Sequence, residues 1–587
     1  MGGSKGQTLT QGAFILVFAT IIVKIIGAIF KLPLGRVIGE TGMGYFSAAY
    51  ALYNPIYSIT AVGFTSALSR LIAEHIAKNR YRDVQRTRRV ARRLFITTGT
   101  LGFIAMTGGS FLYIKTVDPD SIYSILAMCP SVFFCCVMAS YRGYYEGTRN
   151  MFPTAISQVI ESLGKLFLGL GSAIAIVKIG DSQFNSTGIV YGELVSNLDQ
   201  ARMVSYKYAA AGAILGITIG SFIALCYLIF RSKKSADSVT DKELRQSPVP
   251  VSDKTTLINI CKIGIPIALG ALALTLTQLI DAATIQTRIR GLDLSALNQF
   301  YTELCGLNAE GTGPLFNYAK DLDKIPVALY GSYNYAVNIY SLVPTITQAV
   351  GISALPAVAF AWTRKDFTLV KKNINSVVRI ITLIGIPAGF GICFLSGPIL
   401  KLLYGGNPGA FIAEPMLRVL GIMVIFGTFV TPVNSMLQAI GKQTTTVMII
   451  LGGAAIKLIM NYTLVGIQDI NIKGAPFGSL FCYIFIVVSG FIILLKNTKM
   501  KMEIVPMFIK PLIAGLACGV SAWVAYGLLS RLTGDDSSIF TVIAIAVGGI
   551  FYVTFVFLLK IFTKDDILML PKGEKIANML AKYKIIS

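Results

Sequence analysis

Apolar residues along this chain come in runs of roughly 20, the length a helix needs to cross a hydrocarbon core about 30 Å thick. The runs predict about fourteen membrane-spanning helices, near 12–34, 43–69, 94–114, 122–141, 152–177, 206–230, 257–281, 333–361, 376–396, 411–440, 443–467, 474–495, 508–530 and 538–562. The second, eighth and tenth are long and are expected to tilt or to project beyond the bilayer. The first run follows a polar start and is too long for a signal-peptide core. It also lacks a small-residue cleavage site, so a retained first span is expected. Pro55, Pro130, Pro266, Pro344, Pro387 and Pro432 lie inside runs and predict bends.

Composition agrees with the pattern. Of the 587 residues 54% are hydrophobic and 14% charged, whereas a soluble domain carries about 25% charged residues. The net charge of +23 does not point to nucleic acid, because the basic residues cluster just beyond the ends of apolar runs, as positive-inside topology requires. The strongly basic loops follow even-numbered spans: 78–93 after the second, 231–245 after the sixth, 364–372 after the eighth and 496–501 after the twelfth. Intervening loops carry Asp118 and Asp120, or Asp535 and Asp536. The expectation is a multi-pass membrane protein with both termini cytoplasmic and its longest outer loop over about 283–332. Segment 78–93 has two readings, a topology-setting loop or a surface for anionic lipid headgroups.

The nine cysteines lie mostly inside apolar runs, with Cys305 in a long polar loop, and suggest no disulfide framework. A single histidine, His75, excludes a multi-histidine metal centre and leaves carboxylate sites open. No metal or other cofactor is expected.

The chain repeats itself. Laying the second span on the eighth with a shift of 287 positions matches Gly44 with Gly331, Ala49 with Ala336, Tyr53 with Tyr340, Ile59 with Ile346, Thr60 with Thr347, Ala67 with Ala354 and Leu68 with Leu355. A shift of six spans keeps both halves facing the same way, which is a parallel repeat about an axis along the membrane normal. The expected domains are an N-terminal lobe over 1–231, a cytoplasmic linker over 232–256, a C-terminal lobe over 257–496, and two added spans with a cytoplasmic tail over 497–587.

Charge inside a span is costly and marks function by default. Lys24 lies roughly 20 Å into the first span at 1.5 Å per residue, with Lys31 two turns further out. Glu161 and Lys165 stand four apart in the fifth span, a geometry that permits an intrahelical ion pair. Such a pair is either structural or part of a substrate site. Lys457 in the eleventh span has no acidic neighbour one turn away, and an anionic ligand or a distant partner would explain it. Asp281, ending the seventh span, either binds a coupling cation or lies in an outer vestibule. Spans two and eight carry polar-aromatic faces that include Tyr53, Asn54 and Asn338, side chains able to meet sugar hydroxyls or to form an interfacial belt. There is no Walker A motif, no Gly-x-Ser-x-Gly elbow and no His-Glu-x-x-His, which leaves ATP-driven and hydrolytic chemistry without support.

Three stretches carry a family resemblance: Lys24–Gly39 (KIIGAIFKLPLGRVIG), Val62–Glu74 (VGFTSALSRLIAE) and Tyr141–Glu161 (YRGYYEGTRNMFPTAISQVIE). They resemble the stage V sporulation protein B and MurJ-type branch of the multidrug/oligosaccharidyl-lipid/polysaccharide exporter superfamily. The resemblance spans essentially the whole chain except 181–204 and 283–330. It implies an all-α polytopic fold of about 14 spans, with two six-helix lobes around a central cationic cavity and two extra C-terminal helices that help form a groove for a lipid tail. It also implies an activity, flipping of undecaprenyl-pyrophosphate-linked sugars (typically lipid II) by alternating access, without enzymatic chemistry. Membrane lipids and cell-wall synthesis proteins are the implied partners.

Gram-negative lipid II flippases carry an arginine, an aspartate and an arginine where Phe30 or Lys31, Tyr45 and Ser58 stand here, and another arginine near Asn338 or Ile339. Those departures fit the sporulation-protein branch. Competing readings are a cation-coupled drug exporter, which would favour acidic cavities, and a membrane glycosyltransferase or polymerase, which would use Asp281, Glu303 or Glu310. A non-transporting member of a cell-wall or spore-coat complex would leave the buried lysines without a purpose.

Overall fold

The structure is a computed structural model that describes residues 9–234, 241–305, 322–500, 504–533, 537–559 and 561. Glu310, Asp535, Asp536 and the end of the C-terminal tail lie outside them. Helices make up almost all of the described chain, beside a two-stranded antiparallel hairpin, β1 (Ile189–Val190) and β2 (Glu193–Leu194). Contacts divide the chain into two compact units, Met1–Ser332 and Tyr333–Ser587.

The first unit holds α1 (Leu9–Tyr57), α2 (Gly63–Ala77), α3 (Tyr81–Thr116), α4 (Ile122–Gly147), α5 (Phe152–Gly164), α6 (Leu170–Thr187), α7 (Leu198–Lys234), α8 (Asp241–Gln246), α9 (Asp253–Arg290) and α10 (Leu294–Leu304), with the start of α11 (Ile325–Tyr340). Helix α1 is broken at Gly39, where φ is 61°, a left-handed conformation that a Cβ disfavours. The first two expected spans meet at that break. Beyond it the helix runs to Pro55, which supplies no amide to the hydrogen-bond ladder, and then widens into a π-helical turn over Ser58–Val62 before α2. A second π-helical turn, Lys165–Gly169, separates α5 from α6.

The second unit holds the rest of α11, then α12 (Leu342–Thr363), α13 (Phe367–Phe394), α14 (Ser396–Tyr404), α15 (Pro408–Ala439), α16 (Gln443–Leu464), α17 (Ala475–Thr498), α18 (Lys510–Thr533) and α19 (Ser538–Leu558). Its core joins α12, α13, α15 and α17 through Val358, Ile374, Val378, Phe429, Val433, Leu437 and Ile486. Helices α18 and α19 pack on each other, and α19 reaches α13 through a 2.7 Å hydrogen bond that the Tyr552 hydroxyl donates to the Leu383 carbonyl.

Eleven of the helices, some continued by a short flanking turn, are long and apolar enough to cross a membrane. They coincide with all the expected spans except the first, second and eighth. Those three fall on α1, with its break at Gly39 and the π-helical turn that follows it, and on α11–α12, with its break at Ser341 before Pro344. A helical polytopic membrane fold therefore stands, and the count of about 14 spans remains an expectation from the sequence.

The basic segment 78–93 has a use that its charge alone did not reveal. Four of its arginines clamp the chain that leads into α9. Arg82 Nε donates to the Leu244 carbonyl at 2.9 Å and Arg86 Nη1 to the Val251 carbonyl at 2.8 Å. Arg86 also pairs with Asp253 at 2.8 Å, and Arg93 with the same carboxylate at 3.6 Å. Arg88 donates to the Ser232 hydroxyl at 2.6 Å. Buried Asp83 holds Arg80 at 2.6 Å and accepts the Val251 amide at 2.7 Å. Ser252 then caps α9 by accepting the Thr255 amide at 3.2 Å. Segments 78–93 and 241–253 consequently lie on one side of the membrane.

Candidate functional site

The polar face of α1 presents Tyr50, Tyr53 and Tyr57 at spacings of three and four, so their rings share one side of the helix. Tyr53 stacks on Tyr57 with centroids 5.5 Å apart and meets Tyr50 edge-on at 6.2 Å. All three are half-buried. Two lysines converge on this ladder from different helices. Lys31 Nζ lies 5.9 Å from the Tyr50 ring centroid, and so does Lys165 Nζ, from the π-helical turn. Lys24, seven residues before Lys31 and so on nearly the same helix face, shares the electrostatic neighbourhood of both. Among the described residues neither Lys24 nor Lys165 forms an ion pair.

The expected Glu161–Lys165 pair is corrected by the structure. The Glu161 carboxylate accepts instead from Arg142 Nη2 at 3.0 Å, while Arg142 Nε donates to the Ser157 hydroxyl at 2.9 Å. The sequence pattern missed Arg142 because the apolar run of the fourth span stops at about 141, which reads the arginine as an interfacial end. Helix α4 continues to Gly147 and carries the guanidinium, only 12% exposed, against α5. Arg142 does lie inside the Tyr141–Glu161 stretch, the signal that could have found it.

Asn54 is held by a second helix. Its amide donates to Gln278 on α9 at 2.7 Å, and one turn further on Ser58, in the π-helical turn, accepts from Thr275 at 3.4 Å. These bonds lay a polar seam along α1 and α9. Asp281 continues the seam three residues beyond Gln278 and is buried. Sequence reasoning missed Gln278, a lone amide in an apolar run. Among the described residues there is no group of three His, Cys, Asp or Glu side chains able to hold a metal ion.

Asn338 and Lys457 belong to the second unit, and both are buried. Lys457 shares the buried face of α16 with Ala454 and Asn461. That face meets α17, where Gly453 would crowd Ile486 if it carried a Cβ.

In the first unit Lys31 and Lys165 meet at Tyr50 with Lys24 near them, an excess of cations that Glu161, paired with Arg142, does not join. Such an excess is stable at membrane depth when an anion or water-filled space meets it. Lysine ammonium groups are point donors suited to phosphate, and the tyrosine ladder offers aromatic faces and hydroxyls beside them.

Residues 9–304 match the family model described as "Polysaccharide biosynthesis protein", and residues 324–463 match the model "MatE". The chain belongs to the polysaccharide biosynthesis protein family. The chain's relatives include the "Lipid II flippase MurJ" of Bacillus subtilis (strain 168), 25% identical over 562 residues that cover 93% of this chain and 94% of the relative. The "Stage V sporulation protein B" of the same organism is 22% identical over 586 residues, 96% and 98% of the two chains. Among solved structures the lipid II flippase MurJ in an inward closed conformation aligns with a TM-score of 0.59 at 14% identity, covering 93% of this chain and 98% of that one. An inward-facing multidrug resistance transporter of the MATE family aligns with a TM-score of 0.55 at 13% identity, covering 83% and 98%. These likenesses give the family's fold to the chain. Its relatives are transporters rather than enzymes.

Proposed function

We propose that this protein is a flippase that moves an undecaprenyl-pyrophosphate-linked glycan precursor, lipid II in the first instance, across the bacterial cytoplasmic membrane by alternating access. The observation that carries the reading is the lysine cluster around Tyr50, with Glu161 turned away to Arg142. A pyrophosphate cannot enter hydrocarbon unaided, because its charge loses hydration that nothing there replaces. Lys24, Lys31 and Lys165 replace that hydration with paired charge, Tyr53 and Asn54 meet the sugar, and the prenyl tail stays in lipid throughout. Asn338 and Lys457 are the corresponding candidates in the second unit, and Asp281 is the candidate for a coupling cation.

The reading draws further support from where the helices break. The π-helical turn after Pro55 and the break before Pro344 fall at nearly corresponding positions of the repeat. Interrupted helices at matching places in two halves are the pattern that transporter substrate sites follow. The relatives' names add that MurJ, which this chain resembles along most of its length, is a lipid II flippase.

The test is complementation of a bacterial strain depleted of its own lipid II flippase. Growth restored by this chain, with clearance of the accumulated precursor, supports the reading. A correctly inserted protein that leaves the precursor accumulated on the cytoplasmic side contradicts it.

A further inference from the structure

The cation-rich site contains one group that works against it. Glu161 stands four residues before Lys165, a spacing at which a carboxylate and an ammonium neutralise each other along a helix. Two features keep them apart. Helix α5 opens into the π-helical turn at Lys165 itself, and Arg142 takes the carboxylate at 3.0 Å while Ser157 fixes the other edge of the guanidinium at 2.9 Å. Arg142 is the less exposed partner, 12% against 23% for Glu161. Lys165 then points at Tyr50 beside Lys31.

We infer that Arg142 is a positioning residue for transport: by sequestering Glu161 it keeps Lys165 available to the anionic headgroup. The inference rests on the phosphate-binding reading given above. Without Arg142, Glu161 is left with Lys165, one helical turn on and already within reach of its charge, and the two would close on each other. The headgroup would then have to displace a carboxylate before it could bind. Removing Glu161 has the opposite effect on the site, since Lys165 keeps its orientation and a competing negative charge is gone. A purely structural ion pair makes no such distinction, because losing either partner leaves the other buried and unpaired.

The experiment measures binding of a fluorescent short-chain prenyl-pyrophosphate disaccharide to the full chain in nanodiscs, with the monophosphate analogue as control and thermal unfolding in parallel. Arg142→Gln is expected to weaken binding about tenfold, close to the loss in Lys165→Gln, and Glu161→Gln to tighten it about threefold. Arg142→Lys keeps a cation for Glu161 and is expected to recover most of the binding. The double variant Arg142→Gln/Glu161→Gln should return to within about threefold of the unaltered protein. Equal losses in Arg142→Gln and Glu161→Gln, tracking equal falls in melting temperature, would overturn the inference while leaving the phosphate reading in place. If Arg142→Gln does not fold, Glu161→Gln decides alone, since weakened binding in that variant contradicts the inference and tightened binding supports it. Full binding by Lys165→Gln would instead remove the lysine from the site, and the phosphate reading would fail with it.

Discussion

Gly44 and Gly331 meet backbone to backbone where α1 crosses the start of α11, and they are partners in the internal repeat. A Cβ on Gly331 would fall against the Glu40 carbonyl and lie 2.8 Å from the Gly44 amide nitrogen. A Cβ on Gly44 would fall against the Val327 carbonyl, 3.1 Å from its carbon. Glu40 and Val327 are themselves related by the same shift of 287 positions that relates the two glycines. Each glycine thus touches the repeat equivalent of the residue that touches its partner, the reciprocal pattern of a two-fold contact. Close approach of small residues is how membrane helices gain packing without a hydrophobic driving force.

Alanine at either glycine forces the two helices apart, because the obstructing atoms are backbone and cannot rotate away. Gly44→Ala and Gly331→Ala are each expected to cost about 1–3 kcal/mol or more, the range for overpacking a tight contact. One contact is shared, so the double variant should lose clearly less than the sum of the singles. Thermal unfolding in detergent measures both effects, and additive losses would show that the crossing is not a single reciprocal contact.

The clamp on the entry to α9 makes a separate expectation. Asp83 is buried and bonded to Arg80 and to the Val251 amide. Asp83→Ala leaves the Val251 amide without its acceptor and takes the carboxylate from the partly exposed Arg80, a change expected to cost about 1–3 kcal/mol. Release of segment 241–253 should appear as rapid proteolysis there, with α3 and α9 themselves remaining resistant. Unchanged protection would mean that the arginine contacts to Leu244, Val251 and Asp253 hold the segment without Asp83.

Topology is testable at Cys305, which ends α10 and is expected outside the cell. Burial, with the Glu40 carboxylate nearby as a smaller cause, pushes this thiol up to about 11. Below that value the reactive thiolate fraction rises about tenfold per pH unit, so labelling by a membrane-impermeant maleimide should be slow at pH 7 and accelerate toward pH 9. Labelling of intact cells supports the outer assignment of 283–330. Protection until the membrane is permeabilised would reverse it, together with the inner assignment of 78–93.

How much of this could be read in the sequence depended on the range of the interaction. Run length alone located the eleven spans that are long and apolar enough to cross, because crossing a bilayer is a constraint that each helix meets by itself. The repeat was legible through Gly44, Gly331 and the tyrosines, whose spacing survives divergence of the surrounding apolar residues. Lys24, Lys31 and Lys165 stood out by being charged at depth. The convergence of Lys31 and Lys165 on Tyr50 did not, since it requires the packing of α5 on α1. Glu161 was assigned to Lys165 because four residues is the visible distance along a helix. Its actual partner lies 19 residues away in the chain, beyond a turn that periodicity cannot cross. The arginine clamp was equally hidden, because its acceptors include the carbonyls of Leu244 and Val251, which have no signature in side-chain identity.

The central claim is that the lysine cluster binds the pyrophosphate of a lipid-linked precursor, and Lys24 tests it most directly. The measurement is flipping of a fluorescent prenyl-pyrophosphate-linked disaccharide by purified protein in liposomes, scored by protection of the label from an external quencher. Lys24 is exposed in this structure, and Lys24→Ala is expected to lose flipping by about tenfold or more, as loss of one charge-assisted contact to the headgroup costs about 1.5–3 kcal/mol. Lys24→Arg, which keeps the charge and changes its geometry, should retain a measurable part of the rate. A folded and inserted Lys24→Ala protein that flips at the rate of the unaltered chain would contradict the claim.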